Sequence, residues 1–244
     1  MNYNGKIYIC HYTPLSERFE YMNNQSIKYN IQDKLLYIKE HDREVLKMCD
    51  IDVFNVQKLK YCEISLFMKH IQCYKNILDA NEDYGIVMED DVIFKDNFIN
   101  NYNNITTKLP EEFDVIYLGV FPFVKEYKSF HANRYSYPTE SSTKKIENLF
   151  DMTNISVFPW TGNNKGTDFY IISKTGCKKI LSFIQHLSKN NIKISDPIDH
   201  FMGKCFYKHG IVYWSDSDIT LHGSTCKYIT NGIFKNSMIQ ERGH

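Results

Sequence analysis

The sequence predicts an α/β fold, a Rossmann-type, mostly parallel sheet flanked by helices, and three observations carry that prediction. Several short apolar runs, at residues 6–10, 35–38, 84–88, 113–119 and 170–173, have the unbroken hydrophobicity of strands buried on both faces. Segments of helical period lie between them; in the clearest, 61–79, Ile64, Phe67, Met68, Ile71, Tyr74 and Leu78 fall on one face. The run at 84–88 passes directly into Glu89-Asp90-Asp91, three acids at the carboxyl end of a strand, where open α/β sheets bind their ligands.

Size and composition set the limits. A chain of 244 residues suffices for one large α/β domain, or one domain with a small lobe. A hydrophobic fraction of 43% and an aromatic fraction of 15% belong to a packed protein and exclude a disordered one. Twenty-nine basic residues balance 29 acidic ones, so no bulk electrostatic attraction to nucleic acid or anionic membranes is expected. Residues 1–6 lack the charged and apolar regions of a signal peptide. No stretch approaches the roughly 20 apolar residues of a membrane helix. The expectation is a cytoplasmic protein without a membrane span. Seven scattered cysteines without a C-x-x-C pair read as reduced thiols rather than a structural zinc site.

In chain order, the strand at 6–10 ends in His11-Tyr12-Thr13-Pro14, and a helix follows over 15–29, with Phe19, Met22 and Ile27 as expected core contacts. The turn between them, with Thr13 and Arg18, is where a nucleotide docks in a doubly wound sheet. A second strand at 35–38 leads to Asp42, an acid placed to contact a base or ribose, although a surface aspartate is the plainer reading. On the 61–79 helix, His70 reads as a hydrogen-bonded residue at the core edge, within possible reach of the site. After the acids come a helix from about 97 to 108 and a strand at 113–119. Residues 120–159 are polar, aromatic and irregular, too long for a plain connection, and are the candidate acceptor-binding or lid region, with Trp160 at its exit. A strand ending at Ser173 and a helix with Ile180, Leu181, Ile184 and Leu187 inward come next. Then Asp196-Pro197 reads as N-cap and first helical residue, with Asp199 at the third position. A late strand at 211–214 precedes Asp216 and Asp218, read as solvated, and the segment carrying His222 and Lys227.

The three consecutive carboxylates repel one another and lose hydration unless a positive partner sits between them. A hard divalent cation such as Mg2+ or Mn2+, taking oxygen ligands and holding a diphosphate, is one such partner. A solvated acidic turn is the bland alternative.

Read together, these segments resemble glycosyltransferase family 25, which includes lipooligosaccharide-type and collagen-type galactosyltransferases. Six segments carry the resemblance, in order along most of the chain. The opening strand-turn-helix through Arg18 is similar to the family's, although His11-Tyr12 departs from its asparagine-leucine. Glu63-Ile64 and His70 match its Glu-Ile…His helix start, with Ser65 in place of glycine and Lys69 in place of serine. Val87 to Val92 is similar to its Glu-Asp-Asp-Val strand, and 113–119 to its Phe-Asp-x-x-Tyr-Leu-Gly strand. Tyr170 to Gly176 and Pro197-Ile198-Asp199 complete the set.

The resemblance implies a GT-A-like fold over 1–244, with 1–119 mainly the nucleotide-sugar-binding half and 120–230 mainly the acceptor-binding half. It implies a metal-dependent, inverting transfer from a UDP-sugar of galactose or glucose type to a hydroxyl of a glycan or protein acceptor. The expected metal ligands are Glu89, Asp91 and His222, holding Mn2+ or Mg2+; Glu89 and Asp91 are two apart on an extended chain and share a side. Asp90 points the other way, toward the loop, with room at the strand end to join them. Thr13, Arg18, Asp42, Glu89, Asp90 and Lys227 are the expected contacts to the nucleotide-sugar. Asp199, which a helix dipole keeps ionised, is the expected base, and Asp168 its alternative. A catalytically inactive member that binds nucleotide-sugar, glycan or a protein partner is the competing reading, and a metal-dependent phosphohydrolase a more distant one.

Overall fold

A computed structural model describes residues 5–107, 109–118, 157–159, 166–206, 210–215, 219–224 and 232–234. The elements run β1 (Ile7–Cys10), α1 (Ser16–Lys28), β2 (Leu35–Ile38), α2 (Met48–Ile51), α3 (Tyr61–Asp79), β3 (Tyr84–Glu89), β4 (Val92–Phe94), α4 (Phe98–Thr107), β5 (Val115–Tyr117), β6 (Val157–Pro159), β7 (Phe169–Ser173), α5 (Lys174–Lys189), α6 (Ile198–Phe206), β8 (Val212–Ser215) and β9 (Thr220–His222).

Seven strands form the main sheet in the order β2-β1-β3-β7-β5-β8-β6. β2, β1, β3, β5 and β8 run one way, and β7 and β6 oppose them. The sheet is mostly parallel and flanked by helices, as the apolar runs predict. Alternate side chains serve two cores. Tyr8, Cys10, Val87, Tyr170 and Ile172 face residues of α3, α5 and α6, whereas Ile7, Ile9, Ile86, Met88 and Ile171 face residues of α1, α4 and β4. Strands buried on both faces need no polar side, which is why they read as continuous hydrophobic runs.

The bounds of β2 and α3 coincide with the prediction. Helix α1 turns differently from expectation: Met22 is buried, but Ile27 is exposed, and Arg18 and Gln25 take inward positions. The physical reason is that this helix meets polar backbone. Gln25 Nε2 donates to the Val92 carbonyl at 2.9 Å, and Gln25 Oε1 accepts the Phe94 N–H, closing one edge of β4. The start of α6 also shifts by one residue. The Pro197 carbonyl accepts the Phe201 N–H at 2.9 Å, so Pro197 rather than Asp196 stands at the cap. Asp196 instead pairs with Lys204 Nζ at 2.6 Å. Among the described residues the six cysteines are free thiols, and no helix is long and apolar enough to cross a membrane. Most of the expected lid, 120–156, and Trp160 lie outside the described residues.

Helix α5 is seated on the sheet at Gly176. Ser173 Oγ caps the helix by accepting the Gly176 N–H at 2.9 Å. A Cβ at 176 would lie 2.4 Å from the Asp114 carbonyl oxygen, a backbone atom that cannot move aside cheaply. Gly176→Ala is therefore expected to cost about 1–3 kcal/mol, the usual penalty for overpacking. Urea denaturation checks this, with a lower midpoint and an unchanged slope.

Candidate active site

The order β2-β1-β3 makes a topological switch point. The chain leaves β1 for β2 on one side, and β3 lies on the other. In open α/β sheets the crevice at such a point, beyond the carboxyl ends of the strands, receives the ligand. Here it lies between His11-Tyr12-Thr13 after β1 and Glu89-Asp90-Asp91 at the end of β3.

The three acids have three sets of partners. Glu89 Oε1 accepts from Thr167 Oγ1 at 2.8 Å and faces His70 Nε2 at 3.9 Å. The Asp90 Oδ2 atom meets His11 Nδ1 at 2.8 Å and accepts the Tyr12 N–H at 3.1 Å, while Oδ1 accepts from Arg18 Nη1 at 2.7 Å. It thereby ties the end of β3 to the β1–α1 turn. Asp91 Oδ2 accepts from Ser224 Oγ at 2.5 Å and has Arg18 Nη1 and His222 Nε2 each 3.6 Å away. Arg18 Nη2 closes the circuit by donating to Ser224 Oγ at 2.9 Å.

Two late segments reach the acids through backbone pairing. His222 on β9 is paired with Val92 on β4, and the next residue, Gly223, donates its N–H to the Asp91 carbonyl at 2.7 Å. A Cβ at 223 would stand 2.6 Å from that carbonyl oxygen, so the approach requires glycine. On the other flank, the Asp168 carbonyl accepts the Glu89 N–H at 2.9 Å. That bond sets Asp168 beside the same cluster.

Burial and charge oppose each other at Asp91 and His222. Burial works against an ionised Asp91, but His222 and Arg18 outweigh it and hold the carboxyl below the usual carboxylate range. Burial likewise disfavours the His222 imidazolium, and Asp91, Asp168 and Glu89 overcome it and raise its pKa. Asp168 goes the other way: burial, reinforced by Glu89 and Asp91, pushes it up to about 7 despite the opposing pull of His222. The cluster thus sets an acid held in its ionised form beside a buried acid whose pKa is raised. Burial also pulls the His70 imidazolium down, yet Cys10 and Glu89 beside it bring it to about 9.

The structure gathers some of the residues expected at the site beside the acids, and gives others different partners. Glu89, Asp91, Asp168 and His222 come together. Asp90 and Arg18 are buried beneath them, with Arg18 turned toward the acids. Thr13 is exposed in the β1–α1 turn, and its N–H approaches Asp42 Oδ1 at 3.4 Å. Asp199 lies in the first turn of α6, its Oδ2 3.7 Å from His200 Nε2. Lys227, Asp216 and Asp218 lie outside the described residues. His70 is fully buried rather than at the core edge, with Nδ1 2.7 Å from the Tyr170 hydroxyl. Sequence reasoning overlooked His11, Thr167 and Ser224 as partners of the acids. His11 carried a faint signal as a polar residue directly after a buried strand; Thr167 and Ser224 carried none.

Two features bear on whether this cluster suits a cation. Asp91 Oδ1 is buried with no hydrogen-bond partner among the described residues, an atom type that favours a cation. Yet among the described residues no three His, Cys, Asp or Glu side chains converge into a ready-made cage. The two observations agree for a site that substrate completes. A small divalent ion is commonly held by one or two carboxylates plus substrate phosphates, not by protein alone. Asp91 with His222 fits that donor set, with Glu89 two residues earlier at the end of β3.

A crevice at the switch point of a mostly parallel sheet, beyond the carboxyl ends of its strands, is where open α/β proteins bind their ligands. The sequence match specifies the family. Residues 6–202 match the model of "Glycosyltransferase family 25 (LPS biosynthesis protein)". The chain belongs to glycosyltransferase family 25, a family of enzymes that work on a sugar donor and an acceptor. No curated protein matches the chain. Among solved structures it is similar to the apo form of mouse xyloside xylosyltransferase 1, at 13% identity and a TM-score of 0.37, over 86% of this chain and 71% of that one.

Proposed function

We propose that this protein is a metal-dependent glycosyltransferase that moves a galactose- or glucose-type sugar from a UDP-sugar to a hydroxyl of a glycan or protein acceptor, with inversion at the anomeric carbon. The observation that carries the reading is the approach of His222 to Asp91 at 3.6 Å, with Glu89 and Asp168 as their electrostatic neighbours, at the switch point of a chain belonging to this family.

Asp91, His222 and Glu89 would hold Mn2+ or Mg2+. A bound cation supplies Lewis-acid neutralisation of the charge that develops on the leaving diphosphate. Arg18 and Asp90 keep the acid turn in place against the β1–α1 turn. Thr13 and Asp42 line the nucleoside end of the crevice, and Lys227 meets a phosphate oxygen. Asp199 accepts the proton of the acceptor hydroxyl as that oxygen attacks the anomeric carbon. Asp168 is the alternative base, favoured by its burial within the acid cluster and its raised pKa.

A panel of UDP-sugars assayed with Mn2+, Mg2+ or EDTA tests the reading. Expected is release of UDP from one galactose- or glucose-type donor, with metal and not with EDTA. Absence of UDP binding in the presence of either metal would overturn it. UDP binding without turnover of any donor or acceptor would instead indicate a family member that has kept the site and lost transfer. Asp199→Asn and Asp168→Asn separate the two bases. Loss of the true base lowers kcat by about 10²–10⁴ while UDP affinity stays near that of the wild type.

A further inference from the structure

Helix α3 buries an ammonium. Lys69 is 2% exposed on a helix otherwise packed with apolar side chains, a position that carries a heavy desolvation cost unless the charge is fully partnered. Its Nζ donates to the Glu40 carbonyl at 2.6 Å and to Asp42 Oδ1 at 2.8 Å. One turn earlier on the same helix face, Ser65 Oγ donates to the His41 carbonyl at 2.6 Å. Two α3 side chains therefore grip three consecutive residues of the loop that follows β2.

The middle residue of that loop, His41, has a φ of 68°. A non-glycine residue there is strained and persists only where its surroundings over-determine it. The grip has a direction. It brings Asp42 to the carboxyl ends of β1 and β2, where Oδ1 also approaches the Thr13 N–H at 3.4 Å. Asp42 Oδ2 has no hydrogen-bond partner among the described residues. One carboxylate oxygen is thus anchored, and the other remains available to accept from a ligand.

We propose that Lys69, assisted by Ser65, is a positioning residue for nucleotide recognition: it fixes the strained Glu40-His41-Asp42 loop so that Asp42 Oδ2 can accept a hydrogen bond from the nucleoside of the donor. This rests on the reading of the site as a UDP-sugar site.

The test uses Lys69→Met, with Lys179→Met as a stability control. Lys179 pairs with buried Asp114 at 2.7 Å, at the amino end of β5 and away from the crevice, so its loss costs stability without touching the loop. UDP binding is measured by calorimetry with Mn2+ below the melting temperature of every variant, and amide exchange is followed at residues 13 and 40–44. Lys69→Met is expected to raise the Kd for UDP at least tenfold and to accelerate exchange at those amides, whereas Lys179→Met changes neither. Should Lys69→Met not fold, Ser65→Ala, which keeps the ion pair, is expected to give a smaller change of the same sign in both readouts. A folded Lys69→Met with a Kd within twofold of the wild type overturns the proposal. If the wild type itself binds no UDP, the functional reading fails separately, and unchanged exchange at 13 and 40–44 in Lys69→Met removes the clamp as well.

Discussion

Arg18→Ala is expected to destabilise the fold by about 3–5 kcal/mol, the usual result of removing one partner of a buried ion pair. The guanidinium is buried against Asp90 at 2.7 Å and Asp91 at 3.6 Å, and it also donates to Ser224 Oγ. Burial disfavours its charge, and the two aspartates more than restore it, raising its pKa further. Alanine would leave two adjacent buried carboxylates facing each other without that cation. It would also remove the cation held 5.4 Å from the Phe234 ring. Most of the penalty comes from the carboxylates left behind, so Arg18→Ala combined with Asp90→Asn should recover a large part of it. Urea denaturation of the single and double variants measures both terms. A loss below about 1 kcal/mol, the range of surface pairs, would show that the network is not holding the acid turn. Arg18→Lys should fall between, because a lysine keeps the charge but cannot bridge Asp90 and Ser224 with separate nitrogens.

The second large effect is on chemistry. Asp91→Asn keeps the size of the side chain and an acceptor for Ser224 Oγ, and removes the charge facing His222 and Arg18. Under the proposed function, transfer from the UDP-sugar should fall at least about 10²-fold, because Lewis-acid stabilisation is worth several kcal/mol and each 1.36 kcal/mol is tenfold in rate. A second readout does not depend on turnover. Saturating Mn2+ with UDP should stabilise the wild type by about 2.7 kcal/mol at a hundredfold excess over Kd, and this gain should vanish in Asp91→Asn. Equal ligand-induced stabilisation of both proteins would remove Asp91 from the metal site.

Both predictions bear on the acid tripeptide, the first through Asp90 as partner of Arg18 and the second through Asp91, and the sequence did not treat those two acids alike. The tripeptide stood out because three charges directly after a buried apolar run are a local anomaly. The side-chain alternation of an extended chain separated Asp90 from Glu89 and Asp91, and Asp90 does bond to the β1–α1 turn. The same local logic placed β2, α3 and the apolar face of α5, where period and burial are properties of adjacent residues. It failed at Ile27, whose helix turned a polar stripe inward because Gln25 finds backbone partners on β4. It also overlooked the burial of Lys69, since a lysine on an amphipathic helix reads as exposed until its partner across the β2 loop is known.

The sequence by itself determined the alternation of strands and helices, the acid cluster at the end of β3 and the family. Only the tertiary structure decided which side chain answers each acid: Arg18 for Asp90, Ser224 and His222 for Asp91, Thr167 and His70 for Glu89. Those partners lie from 19 to 133 residues away along the chain. The physical reason is that periodicity reports which way a side chain faces, whereas charge pairing depends on which strands become neighbours, and the switch in strand order at β1 settles that.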